Sequence, residues 1–129
     1  MKNESIKELR VCRLYRAGEI IITEVYDGAE VEADDISEIH KAAEQLSGGR
    51  VKGLLILAEM PFLLSASARN AAAQLCTLKG IQGAAVCTDV TSVRMMVSFF
   101  NRINRPGIPV RTFNEKQAAE DWLLQLSMN

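Results

Sequence analysis

The sequence contains few of the residues that most often form catalytic or metal sites. It has one histidine, His40, and three cysteines, Cys12, Cys76 and Cys87, with no Cys-x-x-Cys spacing. One imidazole and scattered thiols cannot form a closed zinc site. An odd number of widely spaced cysteines indicates free thiols in a reducing compartment rather than a disulfide framework. We therefore expect no metal, no cofactor and no catalytic residue, so the protein is predicted not to be an enzyme.

The sequence also lacks a long apolar run and an excess of charge of one sign. Its most apolar stretch, residues 53–64, is interrupted by Glu59 and Pro61 and is well short of the roughly 20 residues of a membrane-spanning helix. The polar N-terminus has no apolar stretch typical of a signal peptide. A net charge of −1 gives no general attraction to nucleic acid or to an acidic membrane. We expect a cytoplasmic protein with no integral membrane segment and no nucleic-acid partner.

What is present is a regular alternation of strand and helix patterns over 129 residues, the length of one domain, residues 1–129. The apolar patterns predict the order β-β-α-β-α-β-α-β-α. The strands are predicted at 9–14, 20–26, 51–58, 84–87 and 109–113, and the helices at 34–46, from Ser65 or Ser67 to Leu75, from Asp89 or Thr91, and after Asn114. This alternation predicts an α/β fold with a mixed, mostly parallel sheet.

Two of the predicted helices have apolar stripes that we expect to face the sheet. The stripe of the third helix comprises Val93, Met96, Val97, Phe100 and Ile103. The stripe of the last helix comprises Ala118, Trp122 and Leu126.

Two stretches of the chain form a combined pattern that is typical of one family. The first is Leu54-Leu55-Ile56-Leu57-Ala58-Glu59-Met60-Pro61, followed by Ser67-Ala68-Arg69 on the second helix. The second runs from Arg94-Met95-Met96 through Asn104-Arg105-Pro106 to Pro109-Val110-Arg111-Thr112-Phe113 and Trp122-Leu123. Together they resemble the SpoIIAA-like (STAS / CRAL-TRIO-like) family of small bacterial proteins. The resemblance implies a SpoIIAA-like βα superhelix with helices mainly on one face of the sheet, and a module that binds partner proteins and, in some relatives, nucleotides or lipids.

In the better-known relatives, a serine within Asp-Ser-Ser-Gly at the start of the second helix is a phosphorylation switch. The corresponding loop here reads Met60-Pro61-Phe62-Leu63-Leu64-Ser65 and lacks the acidic and glycine residues of that motif. We therefore predict that Ser65 caps the second helix, and that neither Ser65 nor Ser67 is a regulated phosphorylation site.

Charge is unevenly distributed along the chain. Residues 24–38 are rich in carboxylates, whereas Arg94, Arg102, Arg105 and Arg111 follow one another with no acidic residue between them. Two solvated faces would explain this pattern. The alternative is a site for an anion or an acidic partner around Arg102 and Arg105.

The second helix has small neutral residues on all sides, although a helix on one face of a sheet normally has a charged outer face. Either the helix is deep in the core, or a second surface covers it. Under the second interpretation, the predicted contact surface comprises Phe62, Ser65, Arg69, Ala72, Met95 and Phe99. The sequence thus favours a non-enzymatic interaction module, a homodimer or a binder of another protein. The alternative is a carrier of a lipid or small apolar molecule with a cleft near Met60-Pro61-Phe62.

Overall fold

The computed structural model describes residues 6–48, 51–75 and 81–127, and it has one six-stranded sheet and one short two-stranded ribbon. The strands are β1 (Lys7–Glu8), β2 (Cys12–Ala17), β3 (Ile20–Val25), β4 (Glu30–Val31), β5 (Gly53–Leu57), β6 (Leu63–Leu64), β7 (Gly83–Cys87) and β8 (Val110–Phe113). The main sheet has the order β1-β2-β3-β5-β7-β8, and β4 pairs with β6. The first three strands are antiparallel, and β3, β5, β7 and β8 are parallel. The predicted mixed, mostly parallel sheet is confirmed, while β1, β4 and β6 are two residues long and were not predicted.

In the described part of the chain, four α-helices and one π-helical segment cover the sheet. They are α1 (Ala33–Ser47), α2 (Ala66–Leu75), α3 (Thr91–Phe99), the π-helical segment Phe100–Asn104 and α4 (Lys116–Ser127). The larger core cluster joins α1, α2 and α3 to one face of the sheet, and a second cluster joins α4 to the other. Successive side chains of β3 point to opposite faces of the sheet and so contribute to both clusters. Ile21 belongs to the larger cluster, and Ile20 and Ile22 belong to the second. Helices therefore lie mainly on one face, as the resemblance implied.

Of the three residues predicted for the inner stripe of α4, Trp122 and Leu126 pack on the sheet, whereas Ala118 does not. Ala119 and Leu123 are buried, whereas Ala118 is exposed and Trp122 and Leu126 are half-buried. The apolar residues of this helix form a wide stripe, so the sequence alone does not fix which of them is most deeply buried. Packing against the sheet makes Ala119 and Leu123 the most buried residues.

Two glycines in the sheet account for the position of α4. Gly53 and Gly83 are neighbours across β5 and β7. A Cβ added at Gly53 would lie 2.9 Å from Leu123 Cδ2, and one added at Gly83 would lie 2.5 Å from Leu126 Cδ1. The helix thus lies so close to the sheet that a side chain at either position would require a leucine of α4 to move.

The end of the third helix also differs from the prediction. Ile103 was expected to face the sheet but is exposed, while the preceding inner residue Phe100 is buried. The chain changes from α to π geometry at Phe100, and the N–H of Arg105 donates to the Phe100 carbonyl at 3.2 Å. The wider π turn rotates the later side chains relative to an α-helix. Phe100 is therefore the last residue of the predicted stripe that faces the sheet, and Ile103 lies on the outer surface.

Candidate functional site

The outer side of α3 carries a line of exposed apolar side chains, which we call the α3 stripe: Met95, Phe99 and Ile103. Their exposed fractions are 66%, 37% and 57%. A spacing of four residues places Met95 and Phe99 on the same side of an α-helix, and the π turn adds Ile103. The expected exposure of Met95 and Phe99 is observed. The exposure of Ile103 could not be predicted from the sequence, because a regular α-helix would have turned this side chain towards the sheet.

Two polar contacts hold α2 beside the α3 stripe. Arg69 donates from Nη1 to the Leu64 carbonyl at 3.1 Å, and its guanidinium carbon lies 5.0 Å from the centre of the Phe99 ring. Asn104 donates from Nδ2 to Asn70 Oδ1 at 2.7 Å. Arg69 therefore joins the start of α2 to the middle of the stripe through both its charge and its planar face.

The start of α2 has the cap expected from the sequence. Ser65 Oγ accepts a hydrogen bond from the N–H of Ala68 at 3.0 Å and lies 3.2 Å from Ser67 Oγ. Ser65 thus satisfies one of the free N–H groups of the first helical turn.

One residue of the predicted contact surface is buried, and a second is turned towards the core. Phe62 is only 9% exposed, and Ala72 is half-buried against the main core. Strand geometry gives the reason for Phe62, because the backbone of Leu63 bonds to the carbonyl of Ala29, and side chains alternate along this segment. Phe62 faces inward and Leu63 is 64% exposed. Ala72 faces inward because the small inner side of α2 packs towards the sheet.

The four arginines of the basic segment divide into two groups. Arg94 donates to Thr112 Oγ1 at 3.2 Å, and the guanidinium of Arg111 lies 5.1 Å from the ring centre of Phe113. These two arginines support the end of the sheet. Arg102 and Arg105 are exposed and belong to the π-helical segment and its C-cap, beside the α3 stripe.

A second exposed surface lies around the β4–β6 pair, and we call it the acidic ribbon: Asp27, Glu30, Glu32, Glu59, Met60 and Leu63. All six residues are exposed. Glu30 is the register partner of Leu63, and the N–H of Gly28 donates to the Pro61 carbonyl at 3.1 Å, which holds the two loops together. The ribbon therefore combines two apolar side chains with four carboxylates.

Asp35 is the acidic residue of this region that is buried. Its carboxylate accepts hydrogen bonds from Arg10 Nε at 3.0 Å and from the backbone N–H of Glu32 at 2.8 Å. The Arg10 guanidinium is the main reason why the pKa of Asp35 lies below its ordinary value. Asp35 thus fixes the start of α1 and is not available to a partner.

Beneath the three helices of the larger core cluster lies an apolar cavity of about 140 Å³. Its wall comes from the sheet, from α1, α2 and α3, and from Phe62 and Leu64 of the segment before α2, and it presents no polar surface. The alternative interpretation of the sequence was a carrier with an apolar cleft near Met60-Pro61-Phe62. Phe62 does contribute to the wall, whereas Met60 is exposed on the acidic ribbon.

The two described thiols have raised pKa values. Cys12 is buried in the cavity wall, and burial raises its pKa to about 12. Burial also raises the pKa of Cys87 above its ordinary value. A thiol with a raised pKa is a poor nucleophile at neutral pH. Cys76 lies outside the described residues.

Within residues 6–48, 51–75 and 81–127, no helix is long and apolar enough to cross a membrane. Over the same residues, no group of three or more His, Cys, Asp or Glu side chains is arranged to hold a metal ion.

Comparison with known proteins places the chain in a family. Residues 14–127 match the domain of unknown function DUF7793. The structure is similar to that of an uncharacterized protein of the DUF3478 family from Shewanella loihica PV-4, which has a SpoIIAA-like fold, with a TM-score of 0.58. The two sequences are 17% identical over 87% of this chain and 91% of that chain, so the likeness concerns the fold alone. No curated protein matches the chain. The chain therefore belongs to the DUF7793 family, and its fold is SpoIIAA-like.

Proposed function

We propose that this domain is a non-enzymatic, cytoplasmic interaction module that associates with a second copy of itself through the α3 stripe and the start of α2. The observation that carries the proposal is the α3 stripe, whose three apolar side chains are between 37% and 66% exposed. Contiguous exposed apolar surface of this kind is typical of protein contact sites. Arg69, stacked on Phe99, adds a residue type that is enriched in the centre of interfaces.

The test is a measurement of association state by sedimentation equilibrium at about 50 µM protein, a concentration at which micromolar affinities are populated. We expect the wild-type protein to be dimeric, and Met95→Glu and Phe99→Glu to be monomeric while remaining folded by circular dichroism, with a melting temperature lowered by the loss of association. Leu124→Glu is the matched control, because Leu124 is also apolar and 41% exposed but lies on α4, on the opposite side of the sheet. A wild-type monomer at this concentration, or equal loss of association in the control, would contradict the proposal.

The apolar cavity supports a second candidate function, the binding of a small apolar molecule. An engineered apolar cavity of about 150 Å³ in another protein stays dry and binds benzene or xenon. The cavity described above has similar size and no polar surface, so its ligand would be a benzene-sized molecule or the end of an acyl chain, without a charged group inside the wall.

Native mass spectrometry of protein purified without detergent tests this second function. A ligand that co-purifies at near-stoichiometric occupancy would support it. Protein that carries nothing, and whose melting temperature does not rise under benzene or xenon, would exclude it.

A further inference from the structure

The two exposed surfaces described above are complementary in charge. From Glu59 to Glu115, the intervening residues include six basic side chains and one carboxylate, Asp89. Residues 24–44 include eight carboxylates and one lysine. The pairs Arg10–Asp35 and Arg13–Glu24 neutralise two of these carboxylates, but the four of the acidic ribbon are exposed.

Each surface also has apolar side chains beside its charges. In the acidic ribbon, Met60 is 49% and Leu63 64% exposed, and their neighbours are negative. In the α3 stripe, Arg69 stacks on Phe99, and the exposed Arg102 and Arg105 flank Ile103 along the chain. A contact between ribbon and stripe would bury apolar area and place opposite charges around it. A contact of the stripe with another stripe would place arginines against arginines, which costs affinity.

The ribbon and the stripe adjoin on one molecule. Arg69 connects them, since it donates to the carbonyl of Leu64 in β6 and stacks on Phe99 in α3. Two adjoining patches of opposite charge can both be used in a single two-fold contact, in which each patch meets the other patch of the partner. Such an interface needs about 800 Å² on each copy, close to a ninth of the 7154 Å² surface of this domain.

We propose, on the basis of the self-association proposed above, that two copies pair about a two-fold axis with the acidic ribbon of each copy docked on the α3 stripe of the other. The partner for this face is thus a second copy of the chain, and the contact is electrostatically directed. Self-association should weaken as salt is raised, because exposed charges are screened within about 8 Å at physiological ionic strength.

A charge-swap experiment tests the pairing. One variant carries Glu30→Lys with Glu59→Lys, and the other carries Arg102→Glu with Arg105→Glu. All four side chains are exposed, so both variants are expected to remain folded, which circular dichroism and melting temperature verify. In each variant alone, the substituted side chains meet like charges in both contacts of the two-fold pair, and self-association should weaken by about tenfold or more.

An equimolar mixture of the two variants should associate again, because the two new lysines of one variant meet the two new glutamates of the other in one contact, and the unchanged arginines meet the unchanged carboxylates in the second. A single chain with all four substitutions should also form dimers. The matched control is Glu115→Lys with Asp121→Lys, which changes the net charge as much as Glu30→Lys with Glu59→Lys does. Its two positions lie just before α4 and within it, on the opposite side of the sheet, so it should leave self-association unchanged.

The outcomes separate this inference from the function on which it rests. If Met95→Glu and Phe99→Glu abolish dimers but the two charge variants still self-associate, or their mixture does not recover, the ribbon-to-stripe pairing is overturned and self-association through the stripe stands. If the wild-type protein is monomeric at every salt concentration, both proposals fail. Recovery in the mixture and in the fourfold variant supports the pairing.

Discussion

Filling the apolar cavity should stabilise this protein, and Ala72 is the position at which to fill it. Ala72 is half-buried on α2 and lines the cavity. At about 24 cal/mol per Å³, an empty space of about 140 Å³ lowers the free energy of unfolding by roughly 3 kcal/mol. Ala72→Leu adds three carbon atoms, which contribute up to about 2.4 kcal/mol at about 0.8 kcal/mol each. Ordering the new side chain costs about 0.5–1 kcal/mol, so the expected gain is about 1.5 kcal/mol.

Chemical denaturation of protein freed of ligand measures this gain, and the melting temperature should rise by roughly 3–8 °C. The matched control is Ala73→Leu on the same helix, because Ala73 is also half-buried but does not line the cavity. It should change the free energy of unfolding by less than about 0.5 kcal/mol. If Ala72→Leu lowers stability by 1 kcal/mol or more (the order of an overpacked core), the space is not available and the reasoning about the cavity is refuted. If the cavity holds a ligand in native protein, the same substitution should also remove that ligand from the native mass spectrum.

Four further predictions concern single residues. Gly53→Ala should lower the free energy of unfolding by about 1–3 kcal/mol, which is more than the cost of Gly83→Ala. The added methyl group at Gly53 meets a fully buried leucine, whereas at Gly83 it meets the movable end of a half-buried leucine. Equal costs would contradict the described packing of α4. The pKa of Asp35 is lowered by folding, so its contribution to stability is present above its unfolded value of about 3.9 and is lost as pH falls through the lower folded value. Wild-type protein should therefore lose more stability than Asp35→Asn between about pH 5 and pH 2 in urea titrations, and parallel curves would argue against the shift. Ser65→Ala should cost about 1 kcal/mol through loss of the cap without changing self-association, whereas substantial phosphate occupancy at Ser65 in native cells would restore the switch that we predict to be absent. Cys12, with its pKa raised to about 12, should react with a thiol reagent at neutral pH far more slowly in the native than in the urea-unfolded chain, as measured by peptide mapping, and equal rates would disprove its burial.

The sequence alone determined the class of fold and most of its elements. Period-two and period-3.6 patterns depend on which residues are apolar, and these patterns placed β3, β5, β7 and β8 and the four helices within a few residues of their observed positions. The cap at Ser65 could also be predicted, because a serine oxygen at a helix start has a local role that does not depend on the rest of the chain. The exposure of Met95 and Phe99 followed from the same reasoning, since both lie off the inner stripe of a regular α-helix.

Only the tertiary structure decided which of several possible faces is used. The α4 stripe shifted to Leu123 because Gly53 leaves space across the sheet, a contact between residues 70 positions apart. Ile103 turned outward because the helix changed to π geometry after Phe99, and Phe62 turned inward because a two-residue pairing set its register. The cavity likewise depends on how distant elements pack. So does the position of the acidic ribbon beside the α3 stripe, which Arg69 connects. Local patterns report the periodicity of a segment, but its rotation about its own axis is fixed only by what it packs against.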